Sequence, residues 1–236
     1  MWPAIGALLG LVAGSFLATL VLRWPQERGL VGRSACDSCG ATLKPWELVP
    51  LLSFLWQHGR CRHCGAAIDR RHPLIELSCS VVGALACLAH PGWVGLTGAL
   101  SGWLLVALIA LDAEHHWLPD ALTLPLAALG LGFGAGQFTD RLIGFAAGGG
   151  VLLALALAYR HLRQREGLGM GDVKLTAALG AWLGWQQLPM LLLAASLIGL
   201  MLVAVRRLRG ETIAADTVLP LGACLAMAAF PLWLLT

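Results

Sequence analysis

The sequence predicts an all-α polytopic membrane protein, with about eight transmembrane helices and a zinc-ribbon-like cytoplasmic loop between the first and the second. Three observations predict it. Of the 236 residues, 58% are hydrophobic and 12% are charged, and the mean hydropathy is +0.76; an ordinary soluble domain carries roughly 25% charged residues. The apolar residues gather in runs close to the ~20 residues needed to cross a ~30 Å hydrocarbon core. Finally, one polar stretch near the N-terminus holds two C-x-x-C pairs.

Runs between charged breaks place spans at about 2–22, 74–90, 93–111, 118–138, 141–159, 174–188, 190–205 and 217–235. The 174–188 run is short and the 118–138 run is rich in Gly and Pro, so seven spans or one re-entrant segment also fit. Orientation follows from the basic residues. Eight lie between Arg23 and Arg71; Arg160, Arg163, Arg165 and Lys174 flank a later loop; Arg206, Arg207 and Arg209 fill a third, and only Arg141 falls elsewhere. With eight spans the three basic loops share one face, which the positive-inside rule makes cytoplasmic, with the N-terminus outside. The first apolar run is preceded by no basic residue and followed by Arg23, the pattern of a retained anchor rather than a cleaved signal peptide. This divides the chain into a first transmembrane helix (1–22), a cytoplasmic cysteine loop (23–73) and a membrane-embedded core (74–236). The net charge of +3 says little in such a protein, and nothing suggests nucleic acid binding. The Gly- and Ala-rich stripes, including Gly148–Gly149–Gly150, read as close helix packing, and Trp24, Trp117 and Trp185 as interfacial anchors.

In the polar loop, Cys36-Asp37-Ser38-Cys39 and Cys61-Arg62-His63-Cys64 are separated by 21 residues. Each C-x-x-C turn brings two thiolates to one side of a tight bend, and Gly40 and Gly65 relieve the turns. Four Zn–S bonds of ~2.3 Å would close a tetrahedral site with no open position, hence a structural Zn²⁺. His58, His63 and His72 are the alternative ligands in the loop. Cys79, Cys87 and Cys224 lie in apolar runs, where a cysteine behaves as a small buried hydrophobe.

Asp112 ends a long apolar run and opens Asp112-Ala113-Glu114-His115-His116-Trp117-Leu118-Pro119-Asp120. An ionisable residue at that depth is a functional hypothesis by default, and the plainer reading is that it marks the water interface. Asp172 sits in Gly167-Leu168-Gly169-Met170-Gly171-Asp172-Val173-Lys174, where an Asp also serves as a helix N-cap. Three glycines in five positions, however, allow a backbone approach that a plain cap does not need. The topology puts Asp112 and Asp172 on the same face at similar depth. Convergent carboxylates that share a proton can activate water and protonate a carbonyl oxygen, which cleaves peptide bonds.

Together these residues resemble the type IV prepilin peptidase family, membrane aspartic proteases that process type IV pilins and type II secretion pseudopilins. The resemblance covers nearly the whole chain: Gly14-Ser15-Phe16-Leu17 with Arg23-Trp24-Pro25, the paired C-x-x-C loop, Arg71-His72-Pro73-Leu74-Ile75-Glu76, the D-x-E-x-x-x-L-P-D-x-L-T stretch from Asp112 to Thr123, and GMGDVK at Gly169 to Lys174. It implies catalytic Asp112 and Asp172, with supporting roles for Glu114, Asp120, Gly169, Gly171 and Lys174. It further implies a multi-pass protein of the bacterial inner membrane that acts at the cytoplasmic face. There it would cleave a basic leader after a glycine and receive the prepilin's hydrophobic helix along its spans within the lipid bilayer. Relatives with the cysteine loop also methylate the new amino terminus with S-adenosylmethionine, and no residue here is assignable to that methyl donor. The departures from the family pattern are local: Ala18 in place of Asn, Asp37 in place of Pro, and Gly222-Ala223 in place of Gly-Pro. None of the three is expected to touch the two aspartates. The alternative class is an ion- or proton-coupled transporter with Asp112 and Asp172 as a relay; both acids fall at span ends rather than near the midplane, where transport sites sit.

Overall fold

The computed structural model describes residues 1–30, 32–163, 168–210 and 219–236. Arg165 of the second basic loop, Gly167 of the glycine-rich motif and the start of the 217–235 span lie outside the described residues, as does the side chain of Arg163. The described residues are nearly all helical, with no strand among them, and the protein is an all-α, multi-pass membrane protein. Eight helices of 14 residues or more fall where spans are expected. Five are long and apolar enough to cross a membrane: α1 (Trp2–Arg23), α3 (Arg71–Ala89), α4 (Trp93–His115), α6 (Phe138–Arg163) and α8 (Leu188–Leu208). The remaining three, α5 (Asp120–Phe133), α7 (Met170–Leu183) and α9 (Leu221–Leu234), have 14 residues each, about 21 Å of helix at ~1.5 Å per residue. The ends of α5 and α7 have identifiable causes. At the end of α7, Gly184 takes φ 82°, ψ 158°, a region open in practice to glycine alone. Gly134 at the end of α5 lies so close to its neighbours that a Cβ there would come within 2.5 Å of the Ala181 carbonyl oxygen.

The chain forms two compact units, Met1–Ala107 and Leu108–Thr236, with the boundary inside α4. In the first unit, α1 and α3 run antiparallel at backbone contact. A Cβ on Gly6 would lie 2.1 Å from the Gly83 carbonyl oxygen, one on Gly10 2.2 Å from that of Cys79, and one on Gly14 2.7 Å from Glu76 Cα. Small residues at i, i+4 and i+8 thus let the helices pack by van der Waals contact, the force available between helices in lipid. The Trp103 indole N–H donates to the Cys79 carbonyl at 2.8 Å and ties α4 to α3. Cys79 and Cys87 are fully buried, as is Cys224 in the second unit. A short α2 (Leu52–Trp56) and two 3₁₀ turns, Trp24–Gln26 and Pro45–Leu48, shape the loop that joins α1 to α3.

In the second unit, α7 is buried along its whole length from Val173 to Leu183, apart from Lys174. A helix that is apolar all round belongs at the centre of its bundle, and α5, α6 and α9 pack around it. Gly144 of α6 and Gly180 of α7 meet at backbone contact, each Cβ position about 2 Å from the other's carbonyl oxygen. Gly148 and Gly149 likewise face Thr176 and Ala177, whereas Gly150 has open space around it. Trp182 of α7 stacks on Trp233 of α9 with ring centroids 5.4 Å apart. These contacts fix the starts of α5, α7 and α9 beside the end of α4.

Candidate active site and metal centre

The end of α4, the Leu118–Asp120 corner and the starts of α7 and α9 converge within the second unit. Asp112, one turn from the end of α4, is only 5% exposed. Its Oδ2 accepts a 2.7 Å hydrogen bond from the backbone N–H of Ala223. Gly222 and Ala223 are the second and third residues of α9, so their N–H groups are among the donors that a helix leaves unpaired at its N-terminus. Such an end attracts a carboxylate. Gly222 has no room for a side chain: a Cβ there would sit 2.6 Å from Leu118 Cδ1 and 3.1 Å from Asp112 Oδ2.

Asp172, half-buried in the first turn of α7, faces the same point. The backbone N–H of Gly222 addresses both carboxylates, and the two acids interact electrostatically. Gly169 is the N-cap of α7, and its carbonyl accepts the Asp172 N–H at 3.1 Å. Gly171 packs on Leu118: a Cβ added there would lie 3.0 Å from Leu118 Cβ. Leu118 therefore packs between two glycines, Gly171 next to Asp172 and Gly222 against Asp112. His116, left-handed at φ 48° just past the end of α4, lies within electrostatic reach of both acids.

Of the expected supporting residues, Gly169 and Gly171 touch this centre directly. Lys174 instead forms an exposed ion pair with Asp120, at 2.7 and 2.8 Å to the two carboxylate oxygens, and so joins α7 to α5. Glu114 is exposed, with its Oε2 3.7 Å from His115 Nε2. Gly222-Ala223, expected not to touch the aspartates, is in direct contact with Asp112. Leu118, His116, Gly222 and Ala223 were not singled out as site residues. Their signal was weak, because Ala223 meets Asp112 across 111 positions.

The second centre lies in the first unit. Each C-x-x-C pair folds into the same turn. The Cys36 N–H donates to Ala41 and the Gly40 N–H to Cys36; the Cys61 N–H donates to Ala66 and the Gly65 N–H to Cys61, all at 2.9 Å. Gly40 and Gly65 take φ near +71° and +72°, the left-handed conformation that glycine enters without a Cβ clash. One isolated bridge closes each turn, Ala35 to Thr42 and Arg60 to Ala67. The four Sγ atoms of Cys36, Cys39, Cys61 and Cys64 lie within 4.8 Å of one another. Backbone N–H groups of Cys39 and Ser38 lower the Cys36 thiol to about 7. At Cys64 the Ala66 N–H acts in the same sense, but desolvation and the neighbouring sulfurs prevail and push it up to about 11. Four close cysteines of this kind can hold a metal ion. Asp37 anchors the first knuckle: Arg23, at the end of α1, donates to Asp37 Oδ1 at 2.8 and 3.1 Å and to the Ala35 carbonyl at 3.0 Å.

Comparison with known proteins bears on both units. A family model described as Bacterial Peptidase A24 N-terminal domain matches residues 8–90, and one described as Type IV leader peptidase family matches residues 99–204. The chain is 38% identical to a prepilin leader peptidase/N-methyltransferase of Pseudomonas aeruginosa, over 94% of this chain and 86% of that one. It is 47% identical to a protein of the same name from Aeromonas hydrophila, over 74% of this chain and 62% of the relative. A third, from Neisseria gonorrhoeae, is 35% identical over 86% and 82%. The chain thus spans less than two thirds of the length of the Aeromonas relatives it matches. No solved structure matches it. The transporter alternative gains nothing from these comparisons.

Proposed function

The chain belongs to the type IV leader peptidase family, and on that premise we propose that it is a membrane aspartic endopeptidase of the bacterial inner membrane. It cleaves the basic leader of type IV prepilins or type II secretion pseudopilins after a glycine, at the cytoplasmic side. The observation that carries the reading is the convergence of Asp112 and Asp172 on the N-terminus of α9. The two acids share a proton. The ionised carboxylate takes a proton from an attacking water, and the protonated one gives its proton to the carbonyl oxygen of the scissile bond. The carboxyl that took the water's proton then passes it to the amide nitrogen while the other carboxylate takes back a proton from the diol, and the C–N bond breaks to leave the leader's new carboxyl end and the pilin's new amine. Gly222 and Gly171 leave Leu118 as the apolar wall of the site. Gly169 holds the first turn of α7, and the Asp120–Lys174 pair keeps α5 and α7 in register. Glu114 acts from the exposed edge of the same polar network. The substrate's hydrophobic helix is received along the spans, in the orientation that the basic loops specify, with the N-terminus of the enzyme outside.

The cysteine cluster fits a structural Zn²⁺. Tetrahedral Zn–S bonds of ~2.3 Å require sulfurs ~3.8 Å apart, and the Cys36 and Cys64 sulfurs are 3.9 Å apart. Zinc would supply the cross-link that ties the two knuckles together. The second activity, N-methylation of the exposed amino terminus with S-adenosylmethionine, rests on the printed names of the relatives. One cavity of about 560 Å³ in the first unit, lined among others by Phe54, Asp37, Glu47 and Glu76, is of the size that small-molecule ligands occupy. Arg23, Arg28, Arg33 and Arg71 share that lining, so its acids do not by themselves mark a sulfonium site; calorimetric titration of S-adenosylmethionine into the protein tests whether the methyl donor enters it.

The peptidase reading is tested in cells that lack their own leader peptidase. The protein should restore prepilin processing, and Asp112→Asn or Asp172→Asn should abolish it while the protein still accumulates in the membrane. Processing by either variant at near wild-type extent would remove the dyad.

A further inference from the structure

The joining loop of the first unit exposes apolar side chains where a water-facing module would bury them. Between Pro45 and Trp56, the side chains of Trp46, Leu48, Val49, Leu52, Leu55 and Trp56 are exposed, Leu55 at 65% and Trp56 at 62%. The one acid of that stretch is turned inward: Glu47 is 8% exposed and accepts the Lys44 N–H at 2.8 Å. This pattern is inverted for contact with water and normal for contact with lipid.

The depth of the segment follows from two contacts. The Leu51 N–H donates to Glu76 Oε2 at 2.8 Å, with Leu51 at φ 59°, a conformation uncommon for leucine. Glu76 lies five residues inside α3 from Arg71, about 7.5 Å along the helix. The Cα of Glu76 in turn packs on Gly14 of α1, nine residues before Arg23 and about 13 Å along that helix. The other oxygen of the Glu76 carboxylate lies 3.7 Å from His72 Nε2, so Leu51 is held against the first turn of α3, near the level of the two cationic helix ends, where α1 and α3 themselves expose Phe16, Leu74 and Leu77. The loop folds back along the membrane helices instead of projecting from them. Basic residues rim it: Lys44, its ammonium 5.3 Å from the Trp46 ring centroid, and Arg60, both exposed.

We propose that the 45–56 segment is an interfacial membrane anchor. Trp46, Leu52, Leu55 and Trp56 enter the boundary between headgroups and acyl chains of the leaflet in which α1 ends and α3 begins. Tryptophan is favoured at that level, and short amphipathic segments bind there with the apolar face ~5–10 Å into the interface. Lys44 and Arg60 face anionic headgroups. The anchor holds the cysteine module flat against the bilayer, independently of what chemistry the chain performs.

A genetically encoded dansylalanine at position Leu55 tests this in the full chain, reconstituted in phosphatidylethanolamine–phosphatidylglycerol liposomes, with the same probe at exposed Arg62 as control. Both positions are exposed, so the probe displaces no buried contact. The expected result is loss of most of the Leu55 emission with lipids spin-labelled just below the headgroup, little loss with aqueous iodide, and the reverse at Arg62. Iodide quenching at Leu55 equal to that at Arg62 would overturn the proposal. Shielding of Leu55 from both quenchers would overturn it too, because protein rather than lipid would then cover the segment.

Discussion

Replacing Gly222 by alanine adds one methyl group at the point where the two acids meet, and the structure says what it does. The new Cβ would lie 2.6 Å from Leu118 Cδ1, 3.1 Å from Asp112 Oδ2 and 3.2 Å from its Cγ. The leucine methyl is the free end of a flexible side chain and can rotate away. The carboxylate cannot move as freely, since the Ala223 N–H holds it at 2.7 Å. Ordinary contact begins at 3.4 Å, so Asp112 shifts by about 3.4 − 3.1 = 0.3 Å. A 1 Å misplacement of a reacting group costs ~10²-fold, and scaling the free energy linearly gives a loss of about 4-fold in turnover. The gain in helix propensity, at most ~0.5–1 kcal/mol, is offset by crowding against Leu118, ~1–3 kcal/mol, so the thermal midpoint should fall modestly. Gly150→Ala is the control: it is also a helical glycine, and nothing lies within 4 Å of its Cβ position. The assay is the initial rate of leader removal from a purified prepilin by protein in nanodiscs, beside the thermal midpoint of each variant. Wild-type turnover in Gly222→Ala would refute the close-approach reasoning. An equal loss in Gly150→Ala would show that the effect is not local.

Other perturbations separate the remaining roles. Lys174→Met removes the ion pair with Asp120, in which the two side chains are 47% and 55% exposed; solvent screening limits its worth to about 0.2–1 kcal/mol, visible as a small drop in thermal midpoint with cleavage retained. Cys61→Ser should lower bound zinc by elemental analysis and raise hydrogen exchange across the knuckles, and unchanged exchange would count against a structural metal. Because metal binding displaces thiol protons, and Cys64 holds its proton up to about 11, zinc uptake near neutral pH should release protons, measurable by calorimetry in buffers of different ionisation enthalpy. Asp69 caps the start of α3, accepting the Arg71 N–H at 2.9 Å, and the Arg71 guanidinium holds its carboxyl below the ordinary 3.8. Its stabilisation is therefore complete above pH 3.8 and lost as pH falls through the lowered value; Asp69→Asn should flatten the acid limb of the unfolding profile.

Much of this was legible in the sequence. Apolar runs bounded by charge located the eight helices, because hydrophobic length and membrane thickness are matched physically. The two C-x-x-C-G turns announced their geometry, since the turn and its relieving glycine are local in the chain. The lengths of α5, α7 and α9 were not legible. α5 ends where Gly134 meets the backbone of Ala181 and Trp182, a contact that depends on the packed bundle, and α7 ends at the glycine-only conformation of Gly184. In the same way GMGDVK and the stretch after Asp112 drew attention by their own composition, whereas Leu118 and Ala223 are ordinary apolar residues. They enter the site only because α9 returns beside α4, and no local pattern reports that.

The dyad mechanism requires Asp112 and Asp172 to act together on a peptide bond. Its most direct test is the intact mass of a purified prepilin after incubation with the detergent-solubilised protein and S-adenosylmethionine, beside the Asp112→Asn and Asp172→Asn variants. The expected result is loss of the leader mass with the wild type, with or without a methyl increment, and a loss of rate of ~10²–10⁴-fold or more in each variant. A leader removed by either variant at the wild-type rate, or an unchanged mass with the wild type on several prepilins, would contradict it.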